Sequence, residues 1–135
     1  MTKTYRFCLW LLTVATTVSF GCSYDSGPPK YPVSGMVTYQ GDPIPDGMIV
    51  FFPTEPGGGA QVGVKIVDGK YAGKTTDGVM RVYVEASRPG PMVKDDMGVM
   101  HESLDWYIPS KYNDQSTLTC EILPEDNKEL NFDLK

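Results

Sequence analysis

The chain is short of the side chains that most enzymes use to move protons. Its 135 residues include one histidine, His101, and three cysteines, Cys8, Cys22 and Cys120. His101-Glu102 begins like the HExxH zinc motif. The fifth position is Asp105, however, and no second histidine exists, so a zinc site built on paired histidines is excluded. One histidine beside Ser103 makes no recognisable hydrolytic triad, and no nucleophile-elbow pattern is present. No CxxC spacing offers a redox or metal site. The run Gly57–Gly59 is followed by neither Gly-Lys-Ser/Thr nor a helical pattern, so it is a flexible connection and not a phosphate loop.

Positive charge is also scarce. Lys and Arg number 12 against 17 Asp and Glu, for a net charge of −5. No basic cluster offsets this, so the chain would repel nucleic acid and anionic lipid surfaces. Long hydrophobic runs are absent too. The longest uncharged apolar stretch, Phe7–Phe20, falls short of the roughly 20 residues that span a bilayer. It follows Lys3 and Arg6 and reads as the core of a signal peptide, residues 1–21.

Two cleavage readings apply there. Ser19 and Gly21 are small residues at the positions that ordinary signal peptidase requires. The same stretch, ending in Gly21-Cys22, resembles a bacterial lipobox, although Ser19 and Phe20 depart from that pattern. We expect lipidation of Cys22, with the membrane as partner through its acyl chains. One chain would anchor only reversibly; two or three would hold durably. Residues 22–31 are polar, with Gly27 and adjacent prolines, and read as a tether. About nine residues at about 3.3 Å each would reach up to about 30 Å. The expected location is extracytoplasmic and membrane-anchored, on the periplasmic face or the cell surface. If Cys22 is acylated, Cys120 is unpaired, and Leu118 and Ile122 on its face suggest a buried thiol. If it is not, a Cys22–Cys120 disulfide becomes available.

What remains is rich in turns and in period-two alternation. The chain has 14 Gly and 11 Pro, which favours short strands over a helical bundle. Val33–Tyr39, Gly47–Pro53, Gln61–Val67, Lys70–Thr75, Val79–Ser87, Ser116–Leu123 and Glu129–Leu134 read as strands. Asp68-Gly69 and Asp77-Gly78 supply tight turns. The expected fold is all-β: an antiparallel β-sandwich of about seven strands over residues 32–135. Between its fifth and sixth strands, Arg88–Gln115 shows no sustained alternation and reads as a long loop. Its first half, Arg88–Glu102, is expected to move freely. Its second half, with Trp106, Tyr107, Ile108 and Tyr112, is expected to dock on the body.

The ordered set YPVSGMVTYQGDPIPDGMIVFFP, KIVDGKYAG, RVYVEASRP, YIPSKYN, STLT and ELNFDL resembles a known family. It is that of the small secreted lipoproteins of planctomycete-type bacteria, described as carboxypeptidase regulatory-like or transthyretin-like domains. The resemblance covers roughly Tyr31 to Lys135. It implies a prealbumin-like, Ig-like sandwich on the cell envelope and carries no established catalytic residues. Transthyretin-like hydrolases of purine-derived rings use several histidines and an arginine, so that activity is not expected here.

Few residues remain as candidates for a site. Asp95-Asp96 and Asn113-Asp114 could offer oxygens to calcium, but the spaced EF-hand pattern is missing. No metal and no cofactor is therefore expected. Asn131 could be imagined in an isopeptide bond, but the first strand has no lysine. Trp106, Tyr107 and Tyr112 could form a stacking platform for sugar rings or an anchor for a protein partner; alternatively they cap one end of the sandwich. The functional expectation is a non-catalytic envelope protein that binds a protein or polysaccharide partner, or is structural, through sandwich loops and edges, with Arg88–Tyr112 as contact surface. The alternatives are a carbohydrate-binding module using Trp106 and Tyr107, and an envelope hydrolase using His101, Asp95 and Asp96.

Overall fold

A computed structural model describes residues 27–135. The leader and the lipidation site at Cys22 lie outside the described residues. In chain order the strands are β1 (Tyr31–Tyr39), β2 (Asp42–Pro43), β3 (Asp46–Pro53), β4 (Val62–Val67), β5 (Lys70–Thr75), β6 (Gly78–Glu85), β7 (Ser87–Lys94), β8 (Met100–Trp106), β9 (Thr119–Ile122) and β10 (Phe132–Leu134), with one 3-10 turn at Ser110–Tyr112.

The alternation read from the sequence sorts the side chains as expected. Val33 and Val37 of β1, Val64 and Ile66 of β4, and Met80, Val82 and Val84 of β6 are buried, while Lys65, Arg81 and Glu85 between them are exposed. The nearly continuous apolar run of β3 does not by itself select an inward face. Its neighbours decide it: Ile49 and Phe51 turn in, and Met48 turns out. Asp68 and Gly69 adopt φ of 50° and 76° in the β4–β5 turn, the left-handed pair that a tight hairpin demands.

Seven strands lie on one hydrogen-bonded path, β10-β1-β5-β4-β3-β6-β9, with β2 paired to β1. The pairing is antiparallel except at one edge, where β10 runs parallel to β1. This sheet curls around a single core. Phe51 of β3 meets Tyr71 of β5 with ring centroids 6.0 Å apart, and Tyr71 meets Phe132 of β10 at 6.5 Å. Asn127 brings the two ends of the path together. Its backbone N–H donates to Pro32 O of β1 at 2.9 Å. Its side-chain oxygen accepts from Leu123 N at 2.9 Å, just past β9, and its amide donates to Leu123 O and Glu125 O at 2.9 and 2.8 Å.

The registers define two poles. Tyr31 pairs with Thr75, Phe51 with Val62, and Gly78 with Ile122, so these mark one end. Pro28 also sits there, against Gly59 and Thr76. Tyr39 pairs with Leu134, Asp46 with Val67, and Met48 with Glu85 at the other end.

Arg88–Gln115 is a loop only beyond Trp106. β7 and β8 form a two-stranded hairpin of their own, rising from the pole opposite Tyr31. Two features hide it in the sequence. Pro89, Gly90 and Pro91 interrupt the alternation, and the ladder absorbs them as a bulge between Pro89 and Met92. On β8, charged and apolar residues share one face, so no clean pattern appears. Asp95 builds the hairpin turn, its Oδ1 accepting from Met97 N at 2.9 Å and Val99 N at 2.8 Å. Ile108 beyond it does dock in the core, but Trp106 does not: it is 62% exposed.

The last two strands are shorter than expected. Ser116 leaves the ladder because its hydroxyl donates to Val82 O, and Glu129 takes φ 60° at a kink before β10. Val79–Ser87 is divided at Ala86, where β6 ends and β7 begins.

Cys120 is half-buried beside Tyr71, and burial pushes its thiol up from 9.0 to about 11. Burial, reinforced by Cys120, also raises the Tyr71 phenol well above its ordinary range. Both groups are neutral when protonated, and the folded state keeps those protons longer than the unfolded chain. The Cys120 contribution to stability is therefore present below about pH 9 and is lost as pH rises through about 11, while that of Tyr71 is lost only at higher pH. Urea midpoints should fall across that window, and Cys120→Ala should flatten the fall.

Candidate functional site

The hairpin register assigns its side chains to two faces, because directly opposed residues share a face. Ser87 pairs with Trp106, Pro89 with Leu104, Met92 with Glu102, and Lys94 with Met100. Along β8 these residues alternate with His101, Ser103 and Asp105. One face therefore carries Trp106, Leu104, Pro89, Met92 and Met100, with Glu102 and Lys94 among them. The other carries Arg88, Asp105, Ser103, His101 and Val93.

The polar face is held by an ion pair, with Arg88 Nε 2.8 Å from Asp105 Oδ2. The apolar face is open to solvent. Met92, Met100, Leu104 and Trp106 are all exposed, and Met97 at the tip is 90% exposed. Scattered exposed apolar residues are ordinary, but a contiguous stripe marks a contact surface. Methionine adds to this, since its flexible thioether adapts to varied partners.

Two grooves flank the hairpin base. One, of about 570 Å³, lies between the apolar face and the outside of the sheet, lined by Leu104, Trp106, Pro89, Met48, Lys65 and Glu85. Met48 is exposed, so the stripe runs down from the hairpin to it, towards the outward Phe52–Tyr83 ring pair at 4.3 Å. The second groove, of about 500 Å³, holds Tyr39, Tyr107, Arg88 and Ile44. There Tyr107 meets Tyr39 at 5.9 Å, and the Arg88 guanidinium lies 5.1 Å from the Tyr107 ring centre. Burial raises the Tyr107 phenol, and Arg88 opposes this.

The three aromatic candidates are thus not brought together. Trp106 belongs to the first groove and Tyr107 to the second, because consecutive strand residues point opposite ways. Tyr112 is pinned by Lys135: its hydroxyl donates to Lys135 O at 2.5 Å and accepts from Lys135 N at 2.7 Å.

The acid and histidine candidates are separated too. Asp95 is engaged with the turn backbone, while His101 stands exposed opposite Val93. Asn113 donates to Ile108 O and accepts from Asp114 N, so its side chain serves its own turn. Asn131 accepts from Met36 N at 2.8 Å on the exposed side of β1. Among the described residues no three His, Cys, Asp or Glu side chains gather as a metal site.

The contact surface expected from the sequence, Arg88–Tyr112, spans Met92, Met100 and Leu104 without singling them out, and it leaves out the exposed Met48. The signal for three of these was the spacing of Met100, Leu104 and Trp106 on even positions, with Met92 across the ladder. Comparison with known proteins matches this chain to no family model, no curated protein and no solved structure.

Proposed function

We propose that this chain is a non-catalytic, lipid-anchored envelope protein outside the cytoplasm, whose domain binds a protein partner through the apolar face of the β7–β8 hairpin. The anchor rests on Gly21-Cys22 and the polar tether after it. The transthyretin-like, carboxypeptidase regulatory-like sandwich rests on the ordered motifs of Tyr31–Lys135 and accords with the curled sheet. One observation carries the binding role: an uncovered stripe of Met92, Met100, Leu104 and Trp106 on the pole opposite residues 27–31. A tether at one pole would present that stripe away from its own attachment point.

A photo-reactive residue at Met92 should capture a discrete partner in the native envelope, whereas one at Lys74, on the far half of β5, should not. Binding of that purified partner should weaken more than tenfold in Trp106→Ala. Equal labelling from both positions, or none from Met92, refutes the reading. Turnover that disappears on replacing His101, Asp95 and Asp96 refutes its non-catalytic part. Mass analysis of the mature N-terminus tests the anchor: an unmodified Cys22 removes it.

A second reading is favoured by the exposed Trp106 ring beside Leu104, a surface suited to stacking a sugar. The chain's other tryptophan is Trp10, within the leader. Fluorescence of the mature chain would thus report Trp106 alone. A shift on adding envelope polysaccharide supports carbohydrate binding, and an unchanged spectrum rules it out.

A further inference from the structure

We propose that two copies of this chain pair through β8, antiparallel, about a two-fold axis at Ser103. The hairpin has two edges, and they differ. β7 carries Pro89 and Pro91, which lack N–H donors and blunt that side. β8, Met100–Trp106, has no proline, and among the described residues it makes substantial contact with no element other than β7. Its second edge is therefore an open row of main-chain donors and acceptors.

The direction of those groups follows from the turn. Asp95 N donates to Val99 O at 2.9 Å, so Val99 faces β7. By alternation His101, Ser103 and Asp105 also direct their main-chain groups to β7, while Met100, Glu102, Leu104 and Trp106 direct theirs outward. A second β8 laid antiparallel with Ser103 opposite Ser103 of its twin aligns outward groups with outward groups. Met100 then faces Trp106 of the other copy, and Glu102 faces Leu104. Each of these pairs occurs twice, for about eight main-chain hydrogen bonds.

The side chains agree with this register. His101 falls opposite Asp105 of the other copy on the polar face, twice. Met100 falls opposite Trp106 on the apolar face, a favourable thioether–aromatic contact, also twice. No like charges meet. Moving the axis to Glu102 sets that carboxylate against itself, and moving it to Leu104 removes the His101–Asp105 pair. A two-fold interface must be self-complementary, and this edge is so at one register. The two bodies lie at opposite ends of the resulting β7-β8-β8-β7 ribbon, since each Trp106 base sits beside the other copy's Met100 tip. The pairing is by the edge, so it stands whether or not the apolar face binds a further partner.

Cross-linking of the full chain in its native envelope tests this. Opposed Ser103 residues form a non-hydrogen-bonded pair, with Cα atoms about 4.5 Å apart, within disulfide range. Ser103→Cys should therefore give a reducible dimer under mild oxidation, whereas the unaltered chain and Lys74→Cys should not. Adding Glu102→Pro removes an outward N–H without touching the β7 ladder, and should suppress that dimer at least tenfold while leaving the circular dichroism unchanged. Absence of the Ser103→Cys dimer overturns the proposal. So does a dimer of equal yield with Glu102→Pro present or from Lys74→Cys.

Discussion

Replacing Gly35 by alanine should destabilise the fold by about 3 kcal/mol or more, a large share of the 5–15 kcal/mol that holds a typical domain together. A Cβ at this position would lie 2.1 Å from Leu130 O and 2.6 Å from Leu130 C. Both atoms are backbone, so no side-chain rotation relieves the clash. The same carbonyl accepts the Tyr71 hydroxyl at 2.7 Å, and Leu130 N donates to Ser34 O at 3.0 Å. Pushing Leu130 away therefore breaks bonds at the parallel β1–β10 edge and exposes Phe132 and Leu134 beneath it. Thermal unfolding should shift down by more than about 10 °C. Gly41→Ala provides the contrast. Nothing lies within 4 Å of its Cβ, and only its φ of 90° opposes alanine. That change should cost about 1 kcal/mol.

Asn127→Ala should cost about 3 kcal/mol, measured by urea denaturation. This side chain is buried, and it satisfies Leu123 N, Leu123 O and Glu125 O at once. Alanine leaves Leu123 N and Glu125 O without their partner, while Leu123 O keeps the Glu125 N–H at 2.7 Å; the cost is about 1–3 kcal/mol for each orphaned group that water cannot reach. The loss falls on the contact between the two ends of the curled sheet. Amide exchange should therefore quicken first in β9 and β10, while β3 and β4 stay protected. Uniform exchange across the sheet would contradict the role assigned to Asn127.

How much of this was legible can be read from particular residues. The inward set of β4 and β6 and the Asp68-Gly69 turn followed from period two and from the backbone demands of a tight hairpin. Leu130, Phe132 and Leu134 alternate with Asn131, Asp133 and Lys135, and the structure packs all three against the core, but the strand that receives them was not deducible. The hairpin was concealed by Pro89, Gly90 and Pro91 and by the mixture of Met100 and Leu104 with Glu102 on one face. Reading Trp106, Tyr107 and Tyr112 as one surface treated neighbours in sequence as neighbours in space. In an extended strand, adjacent side chains point to opposite sides, and these led to two different grooves.

The amino-acid sequence alone determined the β character of this protein, which side of most strands turns inward, and its scarcity of histidine and basic charge. These follow from local chemistry, because a pleated strand exposes alternate residues and a turn demands particular φ angles. Only the tertiary structure decided that β10 lies parallel to β1, that Asn127 joins the ends of the path, and that β7 and β8 stand apart with an apolar face in solvent. Main-chain hydrogen bonds are the same for every pair of strands. Which strands meet is therefore set by how the whole sheet curls and what it can bury, and no short stretch of residues carries that information.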